Sequence, residues 1–145
     1  LLAALNGTER VDLVDVNLLA VASARENARK HRLNQVDVMP SDLFSAVAGR
    51  SYDLIVSNPP FHQGKAVDYS VTDRMIRQAA DHLTPDGRLI LVANAFIRYE
   101  PALRERFAQV RKLAETSRYQ LFAAGKPLAT GAGAKTHFRR SRGSG

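Results

Sequence analysis

Residues 52–61 read YDLIVSNPPF and combine a short apolar run with an abrupt polar ending. The apolar residues 54–56 include β-branched side chains and predict a strand that is buried on both faces. Pro59 and Pro60 have no N–H group for a sheet ladder, so we expect the strand to stop at Asn58. The sequence therefore predicts a stiff, extended exit from the carboxyl end of a strand, where open α/β sheets bind their ligands.

The segment from Asn58 to Phe61 carries the groups that are needed to hold a planar amine. The Asn58 amide offers an acceptor and donors, and a neighbouring backbone carbonyl, freed by the prolines, offers a second acceptor. Phe61 supplies a flat face on which a heteroaromatic ring can stack. The alternative is a simple turn that ends the strand, because Asn-Pro is a common turn signal.

Strands and helices alternate along the rest of the chain. The strands are predicted at residues 11–16, 36–39, 88–93, 110–116 and 118–124, and the helices at residues 18–31, 69–83 and 101–108. Asn17 is the predicted N-cap of the first helix, and residues 85–87 form a strong turn signal. This order predicts an α/β fold with a Rossmann-like, doubly wound, mostly parallel sheet and an antiparallel terminal hairpin.

Polar and aromatic residues follow other predicted strands as well. Asp15 ends the first strand, and an acidic residue at that position of a dinucleotide-type fold accepts hydrogen bonds from ribose hydroxyls. The alternative is that Asp15 faces solvent or caps the following helix. Asn94 and Phe96 follow the strand at residues 88–93 and can line a base pocket, although Phe96 and Ile97 can equally belong to the core.

The composition restricts the classes of function. The 145 residues suffice for one domain with a sizeable core, and the absence of cysteine excludes disulfides and thiolate metal sites. We expect no membrane span and no signal peptide, and therefore a cytoplasmic protein. The net charge is +7, and residues 125–145 hold five basic and no acidic residues. This basic tail either favours RNA or is a solvated, disordered end.

The sequence from Asn58 to Phe61 resembles motif IV of the amino-group methyltransferases that use S-adenosylmethionine, whose pattern is Asn or Asp, Pro, Pro and an aromatic residue. Residues 56–62 (VSNPPFH) and 92–96 (VANAF) are similar to the small-domain class I methyltransferases that modify guanine N2 in ribosomal RNA. The resemblance covers residues 1–124. Residues 92–96 distinguish this group from other methyltransferases better than residues 58–61 do. The Asn-Pro-Pro-aromatic pattern also occurs in enzymes that methylate DNA bases or protein glutamine.

The resemblance implies a role for each matching residue. It implies the catalytic residues Asn58, Pro59, Pro60 and Phe61, the cofactor-binding residues Asp15, Val16, Asp42, Leu43 and Asn58, and the substrate-binding residues Phe61, His62, Asn94 and Phe96. Within this set, Asp42 is expected near the adenine amino group of S-adenosylmethionine and Leu43 on its ring. From the residues alone, Ser41 or Asp42 can instead cap a short helical turn. No metal ion is expected.

The first strand of this family ends in a glycine-rich loop, and no Gly-x-Gly segment precedes Asp15. We therefore expect a carboxyl-terminal fragment that lacks its first strand and an amino-terminal part, with residues 1–124 as a partial catalytic domain and residues 125–145 as the tail. The implied partner is ribosomal RNA or the small ribosomal subunit, and the fragment alone is expected to be inactive. The alternatives are methylation of another planar amine, such as a protein glutamine or a different nucleobase, and a noncatalytic RNA-binding remnant.

Overall fold

The computed structural model describes residues 9–59 and 69–129, without the side chain of Tyr69. The strands are β1 (Val11–Asp15), β2 (Val36–Pro40), β3 (Tyr52–Ser57), β4 (Leu83–Asn94), β5 (Phe107–Glu115) and β6 (Tyr119–Pro127), and the helices are α1 (Leu18–Lys30), α2 (Tyr69–Asp81) and α3 (Glu100–Arg106). Two compact units divide the chain, Leu1–Ala48 and Gly49–Gly145. Pro60, Phe61 and His62 lie outside the described residues, as do residues 130–145.

The first unit is a β-α-β arrangement. β1 and β2 pair in parallel, with Val11 opposite Val36 and Asp15 opposite Pro40. Asn17 caps α1 as predicted, because its Oδ1 accepts hydrogen bonds from the backbone of Leu19 and Ala20 at 2.9 and 3.3 Å. Because β1 and β2 are parallel neighbours, their carboxyl ends meet at one edge of this small sheet.

The second unit contains a four-stranded sheet in the order β3-β4-β6-β5. β3 pairs with β4 in parallel, whereas β6 runs antiparallel to both β4 and β5. Large, fully buried side chains on α2, β4, α3, β5 and β6 form its core, namely Ile76, Leu89, Leu91, Leu103, Phe107 and Phe122. The α/β fold with parallel strands and an antiparallel terminal hairpin is thus confirmed.

The prediction that β3 is buried on both faces was wrong. Leu54 is 49% exposed and Val56 is 63% exposed, whereas Ile55 is half-buried. The two exposed side chains lie two residues apart and therefore point to the same face of the sheet, and that face of β3 is left exposed.

The predicted turn at residues 85–87 lies inside β4 instead of before it. Tyr52 pairs with Leu83 and Leu54 pairs with Arg88, so β4 accommodates the turn residues as an insertion opposite β3. Gly87 is required there, because a Cβ atom would lie 3.0 Å from the Tyr52 carbonyl oxygen. Beyond the insertion, the residues from Leu54 to Ser57 pair in regular register with those from Arg88 to Leu91.

Boundaries near the end of the chain also differ from the sequence prediction. α3 ends at Arg106, two residues before the predicted end, because the chain turns extended at Phe107 and β5 begins there. β6 continues to Pro127, so the residues from Gly125 to Pro127 pair with β5 and belong to the sheet.

Candidate functional site

Asn58 directly follows the last residue of β3, at the carboxyl edge of the four-stranded sheet. Ser57 pairs with Leu91, and β4 extends three residues further, to Asn94. Since β3 and β4 are parallel neighbours, Asn58 and Asn94 leave the sheet at the same edge. Asn58 is exposed and Pro59 half-buried. An exposed amide at this position can meet a ligand without disturbing the core.

A tight turn of residues 94–97 follows β4. The Ile97 N–H donates to the Asn94 carbonyl at 3.3 Å, and the Phe96 N–H donates to the Asn94 side-chain Oδ1 at 3.2 Å. Phe96 is 66% exposed, whereas Ile97 is 3% exposed. From the sequence, both residues could have belonged to the core. In the structure Ile97 packs in the core, and Phe96 presents its ring to solvent.

The segment that continues from this turn borders an open cavity of about 300 Å³. Its lining comes from the first turns of α2, from the two residues that precede α3 and from α3 itself, and consists of Ser70, Thr72, Asp73, Ile76, Arg98, Tyr99 and Ala102. Arg98 is exposed and brings a cation to the cavity two residues after Phe96. Arg98 was not among the predicted site residues, although an arginine close to an aromatic residue in the sequence is a recognisable nucleic-acid signal.

Asp15 stands at the carboxyl end of β1, as predicted. Its side chain is exposed, and its Oδ1 accepts a hydrogen bond from the Asn17 backbone at 2.8 Å. Val16, between them, is also exposed. Asp15 thus supports the start of α1 and still presents a carboxylate to solvent, so the structural role and the ribose-binding role are compatible.

The segment of residues 41–43 lies beside Asp15 at the end of β2. The Ser41 N–H donates to the Asp15 carbonyl at 3.0 Å and joins the two strand ends. The buried Ser41 hydroxyl donates to the Leu43 carbonyl at 2.7 Å and accepts from the Ala46 N–H at 3.0 Å. Ser41 thus holds a short helical turn, which was the alternative raised from the sequence, while Asp42 stays exposed.

The part of the chain that the structure describes holds no candidate metal centre and no candidate membrane span. No group of three or more His, Cys, Asp or Glu side chains is placed to hold a metal ion among those residues. None of the described helices has the length and apolar character to cross a membrane.

Comparison with known families shows which family the chain belongs to. The family model described as "Methyltransferase small domain" matches residues 1–123. The chain belongs to this family. The observed α/β fold is therefore the class I methyltransferase fold, as the motifs implied.

Individual relatives agree with this assignment. The chain is 44% identical over 119 residues to ribosomal RNA small subunit methyltransferase C of Chromohalobacter salexigens, and 36% identical over 125 residues to the protein of that name from Vibrio cholerae. These matches cover 81% and 86% of this chain but 34% and 36% of the relatives. The chain thus spans about a third of the length of the relatives that it matches.

Solved structures show the same fold. The T. thermophilus 16S rRNA N2 G1207 methyltransferase (RsmC), in complex with AdoMet and guanosine, superposes with a TM-score of 0.75 at 34% identity, over 81% of this chain and 31% of that chain. Ribosomal protein L11 methylase from Lactobacillus delbrueckii subsp. bulgaricus, at 21% identity and a TM-score of 0.65 over 83% of this chain and 59% of that one, shares the fold.

Proposed function

We propose that this protein transfers a methyl group from S-adenosyl-L-methionine to the exocyclic N2 amine of a guanine in ribosomal RNA. The observation that carries the proposal is the pairing of β3 with β4. It brings Asn58 and the turn of residues 94–97 to one edge of a single sheet. The T. thermophilus relative, whose bound ligands are AdoMet and guanosine, supports this choice of cofactor and base.

Cofactor binding is assigned to Asp15, Val16, Asp42 and Leu43. The exposed Asp15 carboxylate at the end of β1 fits a pair of ribose hydroxyls, because it keeps acceptor capacity beyond its bond to Asn17. Asp42 is assigned to the adenine amino group and Leu43 to the face of the adenine ring. When bound, S-adenosyl-L-methionine supplies a methyl group on a positively charged sulfur, which leaves as a neutral thioether.

Binding of the target amine is assigned to Asn58, with Pro59 beside it. The Asn58 side-chain oxygen and a backbone carbonyl of this segment accept the two amine hydrogens, so that the nitrogen lone pair faces the methyl group. The methyl group is intrinsically reactive, and catalysis therefore consists mainly of orientation. The methylated amine then loses its extra proton to water, so that His62 is not needed as a general base.

The target base is assigned to aromatic stacking at the same edge. Phe96 offers an exposed ring, and Phe61, from the motif, is proposed as a second stacking surface. The Asn94 oxygen is occupied by the Phe96 N–H, which leaves the Asn94 amide hydrogens for an acceptor on the guanine edge. A base held in this way no longer stacks on its neighbouring bases in the RNA.

Nucleoside analysis tests the proposal. The natural full-length protein is incubated with radiolabelled S-adenosyl-L-methionine and with small ribosomal subunits, naked ribosomal RNA or ribosomal protein. Digestion of the labelled product is expected to yield N2-methylguanosine. Label in N6-methyladenosine or in methylglutamine would assign the site to another planar amine. Binding of RNA without any transfer would support the noncatalytic alternative.

A further inference from the structure

Gln120 on β6 is a polar side chain in the core of the second unit. It is 4% exposed, in a strand whose neighbouring buried residues, Phe122 and Ala124, are apolar. Burying a primary amide is costly unless its donors are satisfied. The partners of Gln120 therefore indicate what this side chain does.

Both partners lie at the ends of the turn that follows β4. The Gln120 Nε2 donates to the Asn94 carbonyl at 2.7 Å and to the Ile97 carbonyl at 2.6 Å. Only the nitrogen end of the amide can satisfy two carbonyl oxygens, so the orientation of the side chain is determined. Gln120 thus bridges the first and last residues of the turn.

Other bonds hold the same turn from its own side. The Ala95 N–H donates to the Arg118 carbonyl at 2.9 Å, while the Phe96 and Ile97 N–H groups bond back to Asn94. With both ends of the turn anchored, Ile97 points into the core and Phe96 points out. An exposed aromatic ring on an anchored turn loses little conformational freedom when it stacks on a base.

We infer that Gln120 is a positioning residue for RNA recognition, which acts through Phe96 by fixing the turn of residues 94–97; this inference rests on the proposed function. Gln120 does not touch the base. Its loss is expected to let the ring of Phe96 leave its stacking position, while the sheet and the cofactor-binding residues stay as they are.

The first test measures the turn itself and needs no RNA. Hydrogen exchange in the natural full-length protein is compared between the wild type and Gln120→Met, which keeps the approximate size of the side chain and removes both donors. The amides of Ala95, Phe96 and Ile97 are expected to exchange faster in the variant, with the rest of β4 unchanged. Thr84→Val, which removes a 3.0 Å bond to Asp53 at the other end of β4, is the matched control and leaves these amides unchanged.

The second test is a double-mutant cycle on RNA affinity. Phe96→Ala is expected to weaken RNA binding roughly five- to 150-fold, the range for one base stack. Gln120→Met is expected to weaken RNA binding roughly tenfold, which lies within the range for one stack. In a protein that already carries Phe96→Ala, Gln120→Met is expected to have no further effect on RNA binding. Cofactor affinity stays at the wild-type value in all three variants.

Each outcome bears on the inference separately from the proposed function. Unchanged exchange at residues 95–97, or the same loss of RNA affinity with and without Phe96, overturns the positioning role while the methyltransferase proposal stands. A wild-type protein that neither binds RNA nor methylates guanine overturns both. If Gln120→Met does not fold, Gln120→Leu is measured instead, since it also removes both donors without burying a charge and is expected to shift both readouts.

Discussion

The Ser41 hydroxyl donates a 2.7 Å hydrogen bond to the carbonyl of Leu43, a residue with a φ of +52°. A non-glycine residue in the left-handed region costs about 1–2 kcal/mol, so the surrounding structure has to hold it there. Ser41 does so from a buried position, and its own N–H donates a hydrogen bond to the Asp15 carbonyl. The conformation of Leu43, assigned to the adenine ring, is thereby coupled to the strand end that carries Asp15.

Ser41→Ala is expected to weaken the binding of S-adenosyl-L-methionine about fivefold, which corresponds to roughly 1 kcal/mol for one net hydrogen bond. The reason is that Leu43 loses the contact that keeps its strained backbone in place. Isothermal titration calorimetry on the natural full-length protein measures this change. Ser23→Ala, on the exposed side of α1, is the control and leaves the affinity unchanged. Equal affinities for wild type and Ser41→Ala would show that Leu43 needs no such support.

Asp15→Ala is expected to weaken cofactor binding by more than it slows the methyl-transfer step. Hydrogen bonds to a ribose are present in both the ground state and the transition state, so their loss acts mainly on affinity. Asp15→Asn separates charge from structure, because it keeps an acceptor for the Asn17 N–H. Calorimetry gives the affinity and single-turnover methylation gives the rate, with Asp37→Ala as an exposed control. A cofactor affinity that survives Asp15→Ala would restrict Asp15 to supporting α1.

The contrast between Asn17 and Gln120 shows which features the sequence can predict. The Asn17 cap bonds to residues two and three positions away, so its signal is local and was confirmed. The partners of Gln120 lie 26 and 23 positions away, and a glutamine in a strand carries no local sign of them. The exposure of Leu54 was missed for a similar reason, because the hydrophobic pattern of a strand does not show which of its faces another element covers.

Arg98→Gln is expected to weaken RNA binding at low salt and to flatten its salt dependence. A single phosphate contact contributes about 0.7 to the slope of log K against log salt for single strands, and that contribution is lost. Fluorescence anisotropy with a labelled ribosomal RNA fragment, across a salt series, measures the slope. Arg29→Gln removes the same charge from an ion pair with Glu26 on α1 and is the control. Identical slopes for the two variants would mean that Arg98 acts only through net charge.

Asn58→Ala is expected to abolish most turnover while the fold and the cofactor affinity stay nearly intact. Asn58 is exposed at the end of β3 and contributes little packing. Its proposed task is to hold the amine in line with the methyl group, and a displacement of ~1 Å costs roughly a hundredfold in rate. Single-turnover methylation of the small subunit or its RNA measures the rate, and thermal unfolding confirms the fold.

Two matched variants complete the test of Asn58. Asn58→Asp is expected to retain more activity than Asn58→Ala, because a carboxylate still accepts hydrogen bonds from an amine. Asn27→Ala removes an exposed asparagine from α1 and is expected to react at the wild-type rate. Near-normal turnover in Asn58→Ala would show that Asn58 and Pro59 form only a turn at the end of a strand. A large loss in Asn58→Ala with partial recovery in Asn58→Asp would identify acceptance of the amine hydrogens as the role of residue 58.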